Sequence, residues 1–333
     1  MASEQLAPLP LAPVPLAPFR LAPWFSPRPW GTMDLSPWYD LQPREPIGEA
    51  WLTGHDCVVE TGEHAGRRLG DVAAEYGEAL LGDAALTDYP LLLKILFPHD
   101  KLSVQVHPDD AMAQSMGEPR GKTECWYVLE SSPGASIDLG LKPGVDIAAV
   151  RAAIAGHTLE DLLEKVPVER GEMVFVDAGT VHAIGPGVTL LETQQNCDVT
   201  FRLYDYGRPR ELHIERGLAA TRLITRAGKV PVQPYRAGEH GAGERIGERL
   251  IAEQYFVVDR LRVSPEREFR SGAPTGTPHA LVAIAGAAVL ETEDLPPVSV
   301  PAGRAVIVPA TVAHYRVRTD TACTLLRSMP PPR

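Results

Sequence analysis

Alternation is strictest in the segment LSVQVHPDD, where Leu102, Val104 and Val106 point to one side and Ser103, Gln105 and His107 to the other. GKTECWYVLE behaves alike and sets Lys122, Glu124 and Trp126 on one face of a second strand. EMVFVDA, HAIG, VTLLETQ and VTFRLYDY read as further strands, and LLLKIL as a short buried one. Helical spacing is expected over LGDVAAEYGEALLG and again over DIAAVRAAIAGHTLEDLLEKVPV. There Asp146 and Thr158 stand as N-caps on either side of Gly156, and Thr158 with Asp161 resembles a capping box. This helical insertion, about 145 to 166, is expected to form a cover beside the site.

The C-terminal stretch repeats the strand pattern and contains a visible duplicate. GEMVFVDAGTVH, Gly171 to His182, and GRAVIVPATVAH, Gly303 to His314, share an opening glycine, a strand, a turn and a histidine at one offset. The expected architecture is therefore mainly β, two small jelly-roll-like barrels with a helical insertion. Each repeat histidine should point back into its barrel. The expected divisions are a Pro-rich flexible tail (1–16), a catalytic domain (17–230) and a metal-free C-terminal domain (249–333). A charged, Gly-rich linker near 226 to 248 joins the two, and the Trp- and Pro-rich stretch from Phe19 to Trp51 should be irregular but packed.

Candidate chemistry follows from parity. Gln105, His107, Glu124 and His182 are polar groups that three core strands would not otherwise tolerate, and they read as ligands of one divalent metal. Two imidazoles and a carboxylate suit a zinc site with an open position, and the weak amide ligand leaves the ion a Lewis acid. The competing reading makes them ordinary core or surface histidines and a solvated charge, which the shared parity disfavours. His314 has no such company, so the second lobe should bind no metal. Glu192 shares parity with Val188, Leu190 and Gln194; on an inward face its carboxyl would be desolvated and its pKa raised.

Composition narrows the field. The chain has 333 residues and a formal net charge of −11, which argues against nucleic acid or an anionic membrane as partner. Cys57, Cys125, Cys197 and Cys323 form no CxxC pair and suit a reducing compartment. The Leu-Ala-Pro repeats of the first residues lack a basic start and a continuous apolar run, so no export signal or membrane span is expected and the location should be cytoplasmic.

The combination SVQVHPDD, GKTECWYVLE, VHAIG and LLETQQNCDVTFRLYDYG, with PWG (29–31) and IGEAW (47–51), resembles the type I phosphomannose isomerases, in their short bacterial form, within the cupin superfamily. The resemblance implies a zinc-dependent aldose–ketose isomerase that interconverts mannose 6-phosphate and fructose 6-phosphate, with one Zn²⁺ on Gln105, His107, Glu124 and His182. It also implies Arg202 in the pocket, Lys122 as the lysine before the metal glutamate, and Ser103 near the phosphate. The longer members carry a histidine immediately before that lysine, assigned to ring opening. Here the position is Gly121, so ring opening falls to another group or to metal-bound water. Glu192 and Lys122 are the expected acid–base partners, with Glu192 as base. Arg202 would clamp the phosphate or stabilise the enediolate, and Trp126 would floor the sugar site. Asp109 and Asp110 are expected to form the turn or to hold His107, and Tyr204 and Asp205 to line the rim. A monomer is the expected state. Two rival readings are a metal-dependent cupin dioxygenase and a non-catalytic sugar-phosphate-binding bicupin.

Overall fold

The computed structural model describes residues 16–234, 247–271 and 276–331. Nearly all of the expected tail and the centre of the linker lie outside the described residues. The described residues form four antiparallel sheets in two facing pairs. In the N-terminal lobe a seven-stranded sheet faces a five-stranded one, and in the C-terminal lobe a seven-stranded sheet faces a four-stranded one. The mainly β, two-lobed jelly-roll class is thus observed. Among the described residues the ladders run within four separate sheets, so each lobe is a sandwich whose halves meet through side chains.

The two seven-stranded sheets pack face to face, and this explains the continuous apolar run Leu91–Leu96. Leu91, Leu93 and Ile95 enter the core between the lobes, where Val258, Val282 and Ile307 meet them. Leu92, Lys94 and Leu96 face the N-terminal sandwich. A strand buried on both faces has no reason to alternate in polarity. Glu124–Ser131 obeys the same rule: Cys125, Tyr127 and Leu129 go to the interlobe core while Trp126 and Val128 line the sandwich interior.

The stretch from Phe19 to Trp51 is more regular than expected. Trp24–Thr32 and Ile47–Trp51 pair at the sheet edge, and Phe19–Arg20 crosses to pair with Ile307 and Val306 of the other lobe. Leu16, at the end of the expected tail, is buried in the interlobe core. The linker also contributes strands, since Gly228–Val230 extends the first lobe's sheet and Gln233–Pro234 the second's.

The helix at 69–82 is broken: Leu69–Tyr76 ends at Gly77, whose φ of 44° takes it out of the helical region, and Glu78–Leu81 follows. Ile147–Ala155 begins as expected with Asp146 accepting from the Ala149 amide at 2.7 Å. Thr158 makes no side-chain cap; Leu159–Leu162 is a single 3₁₀ turn and the insertion ends in strand Leu163–Pro167. Nor does the insertion cover the site's mouth. It packs with Ile214–Ala220 on the back of the five-stranded sheet, against Val104, Val106 and Val181. No helix among the described residues is long and apolar enough to cross a membrane.

The sequence repeat is also a structural one, with a difference at its end. Val176 pairs with Glu124 in one lobe, and Val308 with His279 in the other. His182 is buried, whereas His314 is exposed; its neighbour Tyr315 turns inward instead and hydrogen-bonds His279 Nδ1 at 2.8 Å. A one-residue slip in a strand exchanges faces.

Candidate active site and metal centre

Gln105, Glu124 and His182 stand on facing strands of the N-terminal sandwich, as their parity implied, and His107 lies just past the end of its strand. His182 pairs with Gln105 within the five-stranded sheet, and Glu124 faces them from the seven-stranded sheet. The ligating atoms of His107, Glu124 and His182 lie within 4.8 Å of one another, and all three residues are buried. Glu124 Oε2 is 3.6 Å from His107 Nε2, and Oε1 is 3.4 Å from His182 Nε2. The Gln105 amide lies 3.3 Å from His182 Nε2.

His107, Glu124 and His182 fit a cation. His107 Nδ1 donates to the Val199 carbonyl at 3.0 Å and His182 Nδ1 to the Thr180 carbonyl at 2.9 Å. Because a carbonyl can only accept, each ring carries its proton on Nδ1 and presents an Nε2 lone pair to the centre. Burial, assisted by the Lys122 charge, holds His107 well below its ordinary pKa. Burial also lowers His182 to about 4, so both rings are neutral near pH 7. Both Glu124 oxygens are buried without a hydrogen bond of good geometry, although the Lys122 ammonium pairs with Oε2 at 2.6 Å. A buried carboxylate with so few donors is what a metal ligand requires. Asp109 and Asp110 do not hold His107. Asp109 caps Asp110–Ser115 and pairs with Arg222, and Asp110 serves a different network.

Beside this centre an open cavity of about 480 Å³ takes in the other expected residues. Ser103, Lys122, Trp126, Glu192 and Arg202 all line it. Lys122 Nζ lies 3.7 Å from Glu192, and the Trp126 indole donates to Glu192 Oε1 at 3.2 Å. Burial raises Glu192 to about 7 against the opposing pull of Lys122 and Lys94. Desolvation would lower Lys122, but Glu124 and Glu192 outweigh it and the ammonium is held well above its usual range. Ser103 donates to the Gln105 carbonyl oxygen at 3.2 Å. Arg202 lies opposite Gln105 on the adjacent strand, its Nη1 bonded to the Glu211 carbonyl at 2.7 Å.

Tyr204 and Asp205 are not on the cavity's lining. Asp205 is buried behind it and binds Arg210 with both oxygens, at 2.6 and 2.7 Å, which aims that guanidinium. Arg210 and Arg28, which no sequence pattern singled out, also line the cavity, and so does Lys94. Lys94 left a signal, as the one charge within LLLKIL. Its Nζ pairs with Asp198 at 2.7 Å and approaches Glu192 at 3.9 Å. The structure also accounts for Gly121, because a Cβ there would fall 2.4 Å from the Asp109 carbonyl carbon. No side chain fits, a histidine included.

Fold and site together define a two-lobed, cupin-like β protein with, among the described residues, one candidate metal centre beside an open, largely polar cavity. Comparison with known proteins agrees. The model of the phosphomannose isomerase type I catalytic domain matches residues 19–130. The mannose-6-phosphate isomerase of Streptococcus mutans is 34% identical over 292 residues, covering 85% of this chain and 88% of that one. A Bacillus subtilis mannose-6-phosphate isomerase is 34% identical over 264 residues, 75% and 81% of the two chains. A crystal structure of the enzyme from Bacillus subtilis superposes with a TM-score of 0.82 at 28% identity, covering 94% of this chain and 99% of that one. The fold is shared with a Salmonella typhimurium phosphomannose isomerase variant, with a TM-score of 0.73 at 17% identity over 95% and 100% of the chains. The chain belongs to the type I phosphomannose isomerase family.

Proposed function

We propose that this chain interconverts mannose 6-phosphate and fructose 6-phosphate through an enediol, with one zinc ion per chain. The observation that carries the reading is that Lys122 joins a neutral His–Glu–His cluster, through Glu124 at 2.6 Å, to a buried, proton-poised carboxyl at Glu192, 3.7 Å away on the lining of the adjoining cavity. Zinc held by Gln105, His107, Glu124 and His182 would supply Lewis-acid stabilisation of negative charge on O1 and O2.

The chain's own groups carry the proton. Glu192, as carboxylate, takes the proton from C2, and the C–H pair becomes the C1–C2 double bond while Lys122 protonates O1. Lys122 then removes the proton from O2, and Glu192 returns its proton to C1. Both groups end as they began. Trp126 fixes the Glu192 carboxyl through its indole N–H. The cationic side of the cavity, with Arg202, Arg210 and Arg28, suits a phosphate dianion, and Ser103 adds a hydroxyl there. The acidic overall charge is no obstacle to this local arrangement.

A coupled assay for fructose 6-phosphate formed from mannose 6-phosphate tests the reading, before and after chelation and after zinc is returned. Turnover that survives complete metal removal would refute it. The dioxygenase alternative requires a redox-active metal and oxygen uptake, which metal analysis and an oxygen electrode detect.

A further inference from the structure

Lys122 lies just before the regular strand Glu124–Ser131, yet three successive backbone amides are fixed there. The Gly121 amide donates to Asp110 Oδ1 at 2.8 Å, that of Lys122 to the Pro108 carbonyl at 3.0 Å, and that of Thr123 to Gln195 Oε1 at 2.9 Å. The two side-chain acceptors are joined, since Gln195 Nε2 donates to Asp110 Oδ1 at 2.9 Å. The other Asp110 oxygen receives the Tyr255 hydroxyl at 2.6 Å. Tyr255 belongs to the C-terminal lobe, between strands Gly247–Ala252 and Val257–Val263. It lies in a separate cleft of about 330 Å³ shared with Asp110 and Thr123, and it does not line the sugar cavity.

We propose that Tyr255, Asp110 and Gln195 are positioning residues through which the C-terminal lobe aims Lys122 at its reaction partner. This rests on the reading of Lys122 as a proton-transfer group. Gly121 belongs to the device: its missing Cβ lets the backbone seat against Asp109 and Asp110, close enough for the amide to reach the carboxylate. Proton transfer is sensitive to placement, and a displacement of about 1 Å can cost about 100-fold in rate. The side chains of Tyr255, Asp110 and Gln195 make no hydrogen bond to the ligand side chains or to Arg28, Arg202 and Arg210. A fault in the network should therefore lower kcat ahead of KM or metal content.

Tyr255→Phe removes one hydroxyl and no bulk. The expected result is a fall in kcat of threefold or more with KM for mannose 6-phosphate within twofold and an unchanged zinc content per chain. Asp110→Asn, which can still accept from Gly121 and meet the Tyr255 hydroxyl, should keep more of kcat than Asp110→Ala. A kcat for Tyr255→Phe less than threefold below wild type overturns the proposal. So does a loss that tracks zinc content or appears in KM, because the hydroxyl would then act through the metal ligands or the general fold. Lys122→Met separates the two levels of inference. If that variant retains turnover, the role of Lys122 is wrong; if it is inactive while Tyr255→Phe is normal, only the positioning network is wrong.

Discussion

Lys94 and Glu192 stand directly opposite each other on adjacent antiparallel strands, with Nζ 3.9 Å from the carboxylate. The corresponding register positions of the C-terminal lobe hold Asp259 and Arg327, paired at 2.8 Å. The two lobes thus carry the same buried pair with its charges exchanged. In the second lobe the pair is closed further by Arg249 on Asp259 at 3.0 Å, a structural knot; in the first it is looser and borders the cavity. Lys94→Met removes the cation from both Glu192 and Asp198. Glu192 keeps Lys122 and the Trp126 indole and Asp198 is about half exposed, so a modestly lowered denaturation midpoint and a reduced kcat are expected together.

Glu192→Gln keeps the shape and the Trp126 contact and removes the proton acceptor. Loss of a general base typically costs 100-fold to 10,000-fold, so kcat should fall within that range while metal content by mass spectrometry stays at the wild-type level. Near-normal turnover would reject Glu192 as the base.

Metal removal should be visible without any assay of turnover. A ligand that binds only the folded state stabilises it by mass action, about 4 kcal/mol at a thousand times its dissociation constant. Chelation should lower the melting temperature and zinc should restore it. Glu124→Gln should weaken that restoration, because the neutral amide is a poorer ligand than the carboxylate it replaces.

Gly121→Ala tests how tightly the chain passes itself beside Lys122. The added methyl meets backbone at 2.4 Å, which cannot rotate away. Overpacking of this kind costs roughly 1–3 kcal/mol. Thermal denaturation should show the loss, and Gly121→His should be worse.

His279 should give the protein an acid-sensitive component outside the candidate site. Burial depresses its pKa from 6.5 to about 3. The unfolded chain therefore takes up a proton below pH 6.5 that the folded chain refuses. The stability is fully present above the unfolded value and is lost as pH falls toward 3, by about 1.4 kcal/mol per pH unit. His279→Gln should flatten the acid limb of melting temperature against pH. An unaltered slope would mean that His279 is protonated inside the fold.

Much of this was legible in the sequence because strand parity is a two-valued property. Once LSVQVHPDD is a strand, Gln105 must face inward if Val104 and Val106 face outward, and the inward face of Glu124 follows from the same rule. Lys94 escaped because its strand is apolar on both sides, and no alternation survives where two sheets enclose a third surface. The pairing of Phe19–Arg20 with the opposite lobe is a contact between distant parts of the chain that no local pattern encodes. The reversal at His314 and Tyr315 has the same origin, since identical spacing in two repeats does not guarantee identical register. Gly121 reads in sequence only as a missing histidine; its close approach to Asp109 and Asp110 depends on how two loops meet.

The contact between the seven-stranded sheets bears on how the chain could be cut or recombined. Its greasy middle joins Leu93 and Leu191 to Val258 and Leu326 and is as thoroughly dry as either lobe's interior. Expressed alone, the N-terminal half would present that surface to water and clump. The half without the His–Glu–His cluster therefore serves as an obligatory backing plate, and substitutions on its inward face should silence the enzyme by denying the other half a soluble shape.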